Sequence, residues 1–252
     1  LYVVLDELVN QSGIDQSENV KVVDFLDKVA NEVLEPFIDK SYQQLAKYVG
    51  AYEQKMVMKR EAIADQGIWT GKKHYILNVY DNEGVRYEEP KLKMMGIESV
   101  RSSTPKVCRD AIKEALEVLF NEGEKPLREY VDSFEKQFRE MPFEDVAFPR
   151  GCRYLRKWSS ASDIYRKGTP IHVRAALMYN QILEEKKLTR KYQPIFEGDK
   201  IKFCYMKLPN PTRENVFAVP TIRPTEFGLE GYIDYEKQFE KSFKEPLNHI
   251  CE

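Results

Sequence analysis

The apolar positions along this chain follow two rhythms. Over residues 22–48 they recur near helical spacing, at Phe25, Leu26, Val29, Val33, Phe37, Tyr42 and Leu45, which predicts a long amphipathic helix. Pro36 falls inside that pattern and predicts a kink or a split, because its ring has no N–H to donate and collides with the preceding turn. Residues 1–8, 55–64 and 68–80 read as strands, and 10–18 as a polar loop. Asp81-Asn82-Glu83-Gly84 predicts a hairpin turn with Gly where positive φ costs little, and 85–88 a returning strand. From Ser102-Ser103-Thr104-Pro105 onward helical spacing dominates. Thr104 is the expected N-cap and Pro105 the first helical residue. That helix should end near Gly123, with a second over 124–140 stopped by Pro142, the two forming an antiparallel pair. Further on, 172–186 reads as a helix, 199–208 as a strand, 209–224 as an extended proline-rich stretch and 232–250 as a final amphipathic helix. The fold class is therefore α+β, with a boundary at the composition shift near residue 101: a mixed part over 1–101 and a mainly helical part over 102–252.

With 252 residues, 42% of them hydrophobic and 32% charged, the chain has the ordinary globular mix and is long enough to bury a core without cross-links. No apolar run reaches the length of a membrane helix, so no membrane partner is expected. Cys108, Cys152, Cys204 and Cys251 are far apart, with no CxxC; reduced thiols are expected and a local zinc site is not. The net charge of −2 hides an uneven distribution. Residues 1–50 hold 4 Lys/Arg against 9 Asp/Glu, whereas 150–191 hold 11 against 3 and interleave them with Tyr154, Trp158, Tyr165 and Tyr179. A basic, aromatic segment suits a phosphate backbone; it equally describes a solvated surface.

Four stretches could carry chemistry. In Trp69-Thr70-Gly71-Lys72-Lys73-His74-Tyr75, read as one strand, Gly71, Lys73 and Tyr75 share a face, with Lys72 and His74 on the other. The lysines would then lie where a nucleic-acid groove approaches, or simply in water. Lys91-Leu92-Lys93-Met94-Met95-Gly96-Ile97-Glu98 fits a loop near phosphates or a plain basic loop. Glu61, among Met58, Lys59, Arg60 and Ala62, is either paired with Arg60 or a nearby Lys, or set near a cation. His172, in Pro170-Ile171-His172-Val173-Arg174, has no second histidine to pair with and reads as a structural or phosphate-contacting residue. There is no Ser/His/Asp order, no HExxH and no P-loop.

Taken in order, Lys72-Lys73-His74-Tyr75, Lys91 through Glu98, Ser102 through Pro105, and Pro170 through Arg174 with Tyr179-Asn180 resemble family B DNA polymerases, in particular the replicative polymerases of T-even-like bacteriophages. Tyr232-Ile233-Asp234-Tyr235, Gln238 through Phe243 and Pro246-Leu247 extend the resemblance to the end of the chain. It implies the C-terminal part of a palm domain over 1–101, antiparallel strands with a long helix, followed by a mainly helical thumb over 102–252.

The resemblance also implies roles. Lys72, Lys73 and Tyr75 match an element that holds the primer terminus from the minor groove, and His74 stands where Arg is often found. Glu61 matches an acid near the metal site, and Lys91 and Lys93 match lysines near the primer strand. Ser103 and Thr104 match the thumb entrance. Arg166, Lys167, His172 and Arg174 belong to the duplex-facing thumb. The implied activity is DNA-directed DNA polymerisation by two-metal nucleotidyl transfer, with Mg²⁺ as cofactor and no metal ligand in this chain. Its catalytic aspartates are expected upstream of Leu1, so the isolated chain is expected to be inactive. The implied partners are primer–template DNA, dNTP, an N-terminal polymerase fragment if the gene is split, and a sliding clamp reached through a tail. The implied location is the cytoplasm of an infected bacterium. The alternatives are a non-catalytic duplex-binding module, a split-polymerase subunit, and a protein-interaction domain that binds no DNA.

Overall fold

The computed structural model describes residues 2–97, 102–160, 163–220 and 223–251. The chain is α+β and forms two compact units. One comprises Leu1–Trp69 with Tyr75–Met95; the other comprises Thr70–His74 with Gly96–Glu252. Leu1, Glu98 and Arg101, the last marking the expected domain boundary, lie outside the described residues.

The first unit opens on a helix, where a strand over 1–8 was expected. Residues 2–5 have no regular structure, and α1 runs over Asp6–Ser12. Asp6 and Glu7 in its first turn suit the positive end of the helix dipole, and Gly13 closes it at φ 71°, the left-handed exit that Gly takes without a Cβ penalty. The long helix predicted over 22–48 exists but is divided into α2 (Asn19–Val29), a π-helical turn (Ala30–Leu34) and α3 (Glu35–Tyr48). The division sits one residue before Pro36. Pro36 has no N–H to donate and its ring crowds the carbonyl four residues back; the Glu35 N–H reaches back five residues to Ala30 O, and the turn widens.

Three strands follow: β1 (Ala62–Gly71), β2 (His74–Asn82) and β3 (Val85–Met95), in that order in one sheet. Residues 55–60 are not a strand. The stretch 68–80 is not one strand either, because Lys72 and Lys73 form a turn with Lys73 at φ 66°. Lys73 and Tyr75 therefore do not share a strand face. The second hairpin turn is as predicted, with Glu83 at φ 52° and Gly84 at φ 87°. Asp81, 0% exposed, anchors it: one carboxylate oxygen accepts from the Gly84 N–H at 2.9 Å and pairs with Arg60, while the other lies 2.7 Å from Arg86 Nε. Arg60 also reaches Asp27 at 2.8 Å, so α2 and the sheet are joined by charge.

In the second unit, α4 (Lys106–Glu122) and α5 (Glu124–Glu140) pack together. The start of α4 is displaced by one residue from the expectation: Pro105, at ψ 142°, is the N-cap, and no side chain caps the helix. Then come α6 (Phe143–Val146), β4 (Phe148–Gly151), α7 (Leu155–Trp158) and α8 (Ile171–Glu185), which begins on Pro170 with the same backbone geometry as Pro105. A second sheet runs β4, β5 (Lys200–Tyr205), β6 (Val216–Val219), antiparallel throughout, with α8 laid on β6. Here β6 falls inside the proline-rich stretch. The final helix is again divided before a Glu-Pro pair, into α9 (Tyr235–Phe239), a π turn (Glu240–Lys244) and α10 (Glu245–Cys251). Its Phe239 meets Phe134 and Phe138 of α5, and its Phe243 meets Phe134, with centroids 4.8–5.8 Å apart. Buried Gln238 donates to Val146 O at 2.5 Å and accepts from Tyr205 N at 3.2 Å, so its polar burial is compensated.

Candidate nucleic-acid interface

The β2–β3 ladder decides which predicted residues of the first unit meet. Tyr75 pairs with Met95, Leu77 with Lys93 and Val79 with Lys91. Alternation along a strand then puts Tyr75, Lys91 and Lys93 on one face of the sheet. Lys93 Nζ lies 2.5 Å from Glu61 Oε1 and 2.8 Å from Asn82 Oδ1. Partial burial works against its charge, but the hydrogen bond and charge of Glu61, helped by Tyr75 and Glu83, outweigh that and raise its pKa; it stays an ammonium. Glu61 is thus the partner of Lys93 rather than of Arg60. Lys91 is exposed, its ammonium 4.4 Å from the centre of the Tyr87 ring, a cation–π distance.

Tyr75 is half-buried. Burial pushes its phenol pKa up, and the Glu61 charge and the Tyr2 phenol add to that, so the hydroxyl remains a donor at physiological pH. Tyr2 lies edge-on to Tyr75, with centroids 5.7 Å apart, and edge-on to Trp69 at 5.0 Å. Sequence reasoning did not find Tyr2: an opening Leu-Tyr-Val-Val gives no sign of a partner 67 residues away.

It also missed a cleft of about 520 Å³ bounded by Asn31, Glu35, Lys59, Arg60, Glu61, Glu83 and Gly84. Glu35 accepts from Lys59 Nζ at 2.6 Å and from the Arg60 N–H at 3.0 Å, which lowers its pKa. No three of His, Cys, Asp or Glu converge on a metal-sized site among the described residues.

In the second unit, Lys72, Lys73 and His74 are exposed at the hairpin tip. Gly96, at φ 70°, lies beneath it: a Cβ there would overlap the His74 imidazole and stand 2.8 Å from the Lys73 carbonyl oxygen. Gly96→Ala is therefore expected to destabilise the fold by more than about 1 kcal/mol, read as a lower urea midpoint at unchanged slope. Ser103 is half-buried and Thr104 buried in the segment entering α4.

Arg166 and Lys167 are exposed in the loop before α8. Arg166 is fixed through its backbone N–H to Trp158 O at 3.0 Å and its Nε to Ser159 O at 3.2 Å. His172 and Arg174 lie on the first turn of α8. Burial, then the charge of Arg150, lowers the His172 pKa, so the ring is neutral at pH 7. Arg174 is enclosed by partners: its Nη2 donates to Asn215, its Nε lies 3.5 Å from Glu214 Oε2, and the guanidinium is 5.7 Å from the Tyr165 ring, whose hydroxyl donates to Glu214. Of these four residues, Arg166 and Lys167 are the ones that present charge outward.

The four cysteines are free thiols, three of them buried. No helix among the described residues is long and apolar enough to cross a membrane.

No family model matches the chain. Two curated relatives match it along its length. The DNA-directed DNA polymerase of Enterobacteria phage T4 is 32% identical over 265 residues, covering 100% of this chain and 29% of that protein. The DNA-directed DNA polymerase of Escherichia phage RB69 is 35% identical over 262 residues, covering 98% of this chain and 28% of that protein. The chain thus spans less than a third of the length of these relatives.

Proposed function

We propose, from the premise that this chain is homologous along its whole length to a portion of the T-even-type phage DNA polymerases, that it serves as the late palm and thumb of a family B replicative polymerase and positions primer–template duplex for nucleotidyl transfer. The full-length similarity carries the reading. The shared face of Tyr75, Lys91 and Lys93 supports it, because it places the exposed Lys91 cation, the Glu61-paired Lys93 and a hydroxyl donor on one surface.

In this reading Lys72, Lys73 and Tyr75 hold the primer terminus, with His74 beside them. Lys91 and Lys93 follow the primer strand. Ser103 and Thr104 lie at the thumb entrance, and Arg166 and Lys167 face the duplex, close in sequence to His172 and Arg174, whose side chains are engaged within the protein. Holding a primer hydroxyl in line for attack removes several kcal/mol from the barrier, and that is the chain's contribution. Such transfer relies on paired Mg²⁺ ions. The residues here do not fit a metal site, since the Glu61 carboxylate is taken up by Lys93 and no acidic cluster converges among the described residues. The proposed ligands therefore lie in the rest of the polymerase, as do dNTP binding and any clamp contact.

Mixing this chain with the remaining polymerase portion tests the reading. Templated primer extension is expected from the mixture and not from either piece alone. Extension by this chain alone would refute the division of labour. Duplex binding with no gain from the partner piece would favour a non-catalytic DNA-binding module.

A further inference from the structure

We propose that Tyr2 and Trp69 form an aromatic brace that sets the Tyr75 ring, making them positioning residues for the primer-terminus contact. The inference rests on the reading that Tyr75 meets the primer terminus.

Tyr2 stands between the other two rings, edge-on to Trp69 at 5.0 Å and 71°, and edge-on to Tyr75 at 5.7 Å and 72°. Edge-to-face pairs at these separations are favourable beyond simple burial. Trp69 is itself seated. It folds back over Gly67 so closely that a Cβ there would stand 2.7 Å from the indole Cη2 and 2.7 Å from Leu77 Cδ2. The order is therefore Gly67 backbone, Trp69, Tyr2, Tyr75, each resting on the last.

Yet Tyr2 remains 53% and Trp69 50% exposed. Both lead toward a residue whose hydroxyl end lies in the field of Glu61 and Lys93. A tyrosine has two side-chain torsions. An edge-on neighbour on one side and the hydrogen bond between the Tyr2 and Tyr75 side chains, together with the strand pairing Tyr75↔Met95, restrict where the phenol can point.

The brace can be tested in the polymerase assembled with this chain. Tyr2→Ala is expected to raise the KM for primer–template about tenfold and Trp69→Ala about threefold, with the KM for dNTP within about twofold of the parent. Tyr2→Phe, which keeps the ring edge but removes the phenol contact with Tyr75, should restore part of the loss. In a Tyr75→Ala background Tyr2→Ala should add less than about twofold, because a residue acting through another is not additive with it. Should Tyr2→Ala fail to fold, Trp69→Ala carries the test. Parental KM for primer–template in both brace variants, with Tyr75→Ala and Lys73→Ala still impaired, would overturn the brace alone, as would full additivity in the double variant. Parental behaviour of Tyr75→Ala and Lys73→Ala would instead overturn the primer-terminus reading on which it rests.

Discussion

Replacing Asp81 by Ala is expected to lower folding stability by about 3–5 kcal/mol, the usual consequence of removing one member of a buried, hydrogen-bonded ion cluster. Asp81 is 0% exposed. It faces two guanidinium groups, Arg60 and Arg86, and accepts the Gly84 N–H of the hairpin turn. Without it, Arg60 keeps Asp27 at 2.8 Å as its carboxylate partner among the described residues, and a turn donor loses its acceptor. The same guanidinium groups reach Asp24 and Asp27 on α2, so the loss should loosen the attachment of α2 to the sheet. Asp24→Ala is the control: that carboxylate is largely exposed and pairs with Arg86 at 3.2 Å, so its removal should cost below about 1 kcal/mol. Urea denaturation of the two variants distinguishes a structural cluster from a decorative one. Equal midpoints would remove Asp81 from that role.

The second large effect concerns Lys73, which holds φ 66° at the hairpin tip. A residue with a Cβ is strained in that region, and Gly is the inexpensive occupant. A lysine kept at a strained turn position points to a need for its charge. Lys73→Gly separates the two demands. Relief of strain should leave the melting temperature unchanged or higher, while primer extension by the assembled polymerase should fall about 10²-fold, the scale of a lost positioning contact. The loss should appear in primer–template use and not in dNTP use. Parental extension by Lys73→Gly would show that the ammonium group is dispensable and that the turn alone matters.

Local rules were legible where one residue dictates geometry. Pro36 divided its helix, Gly84 closed its hairpin, and Gly123 with Pro142 bounded α5. They failed where two local readings compete. Trp69-Thr70-Gly71-Lys72-Lys73-His74-Tyr75 alternates well enough to pass for one strand, and neither Asn-Gly nor Asp-Gly marks the turn. Only the pairing of β1 with β2 decides that the chain reverses at Lys72 and Lys73. The opening Leu-Tyr-Val-Val looks like strand sequence, but no neighbouring strand takes residues 2–5, and the acids that follow start a helix. For the candidate site, the lysines and Tyr75 could be picked out from their order along the chain. Their partners could not. The Glu61–Lys93 pair, the Tyr2–Tyr75 contact and the Glu214–Arg174 pair join residues 32, 73 and 40 positions apart, and no periodicity reports such contacts.

The ion pairs of the second unit bear on how a duplex would be held. Eleven cationic side chains over 150–191 suggest a large release of counterions from bound DNA, about 0.9 of an ion for every phosphate neutralised. Arg174 is already matched by Glu214, and Lys191 by Glu226. A cation satisfied within its own protein has little charge left to displace sodium from a phosphate. The ionic-strength dependence of duplex association should therefore fall short of what eleven free charges would give.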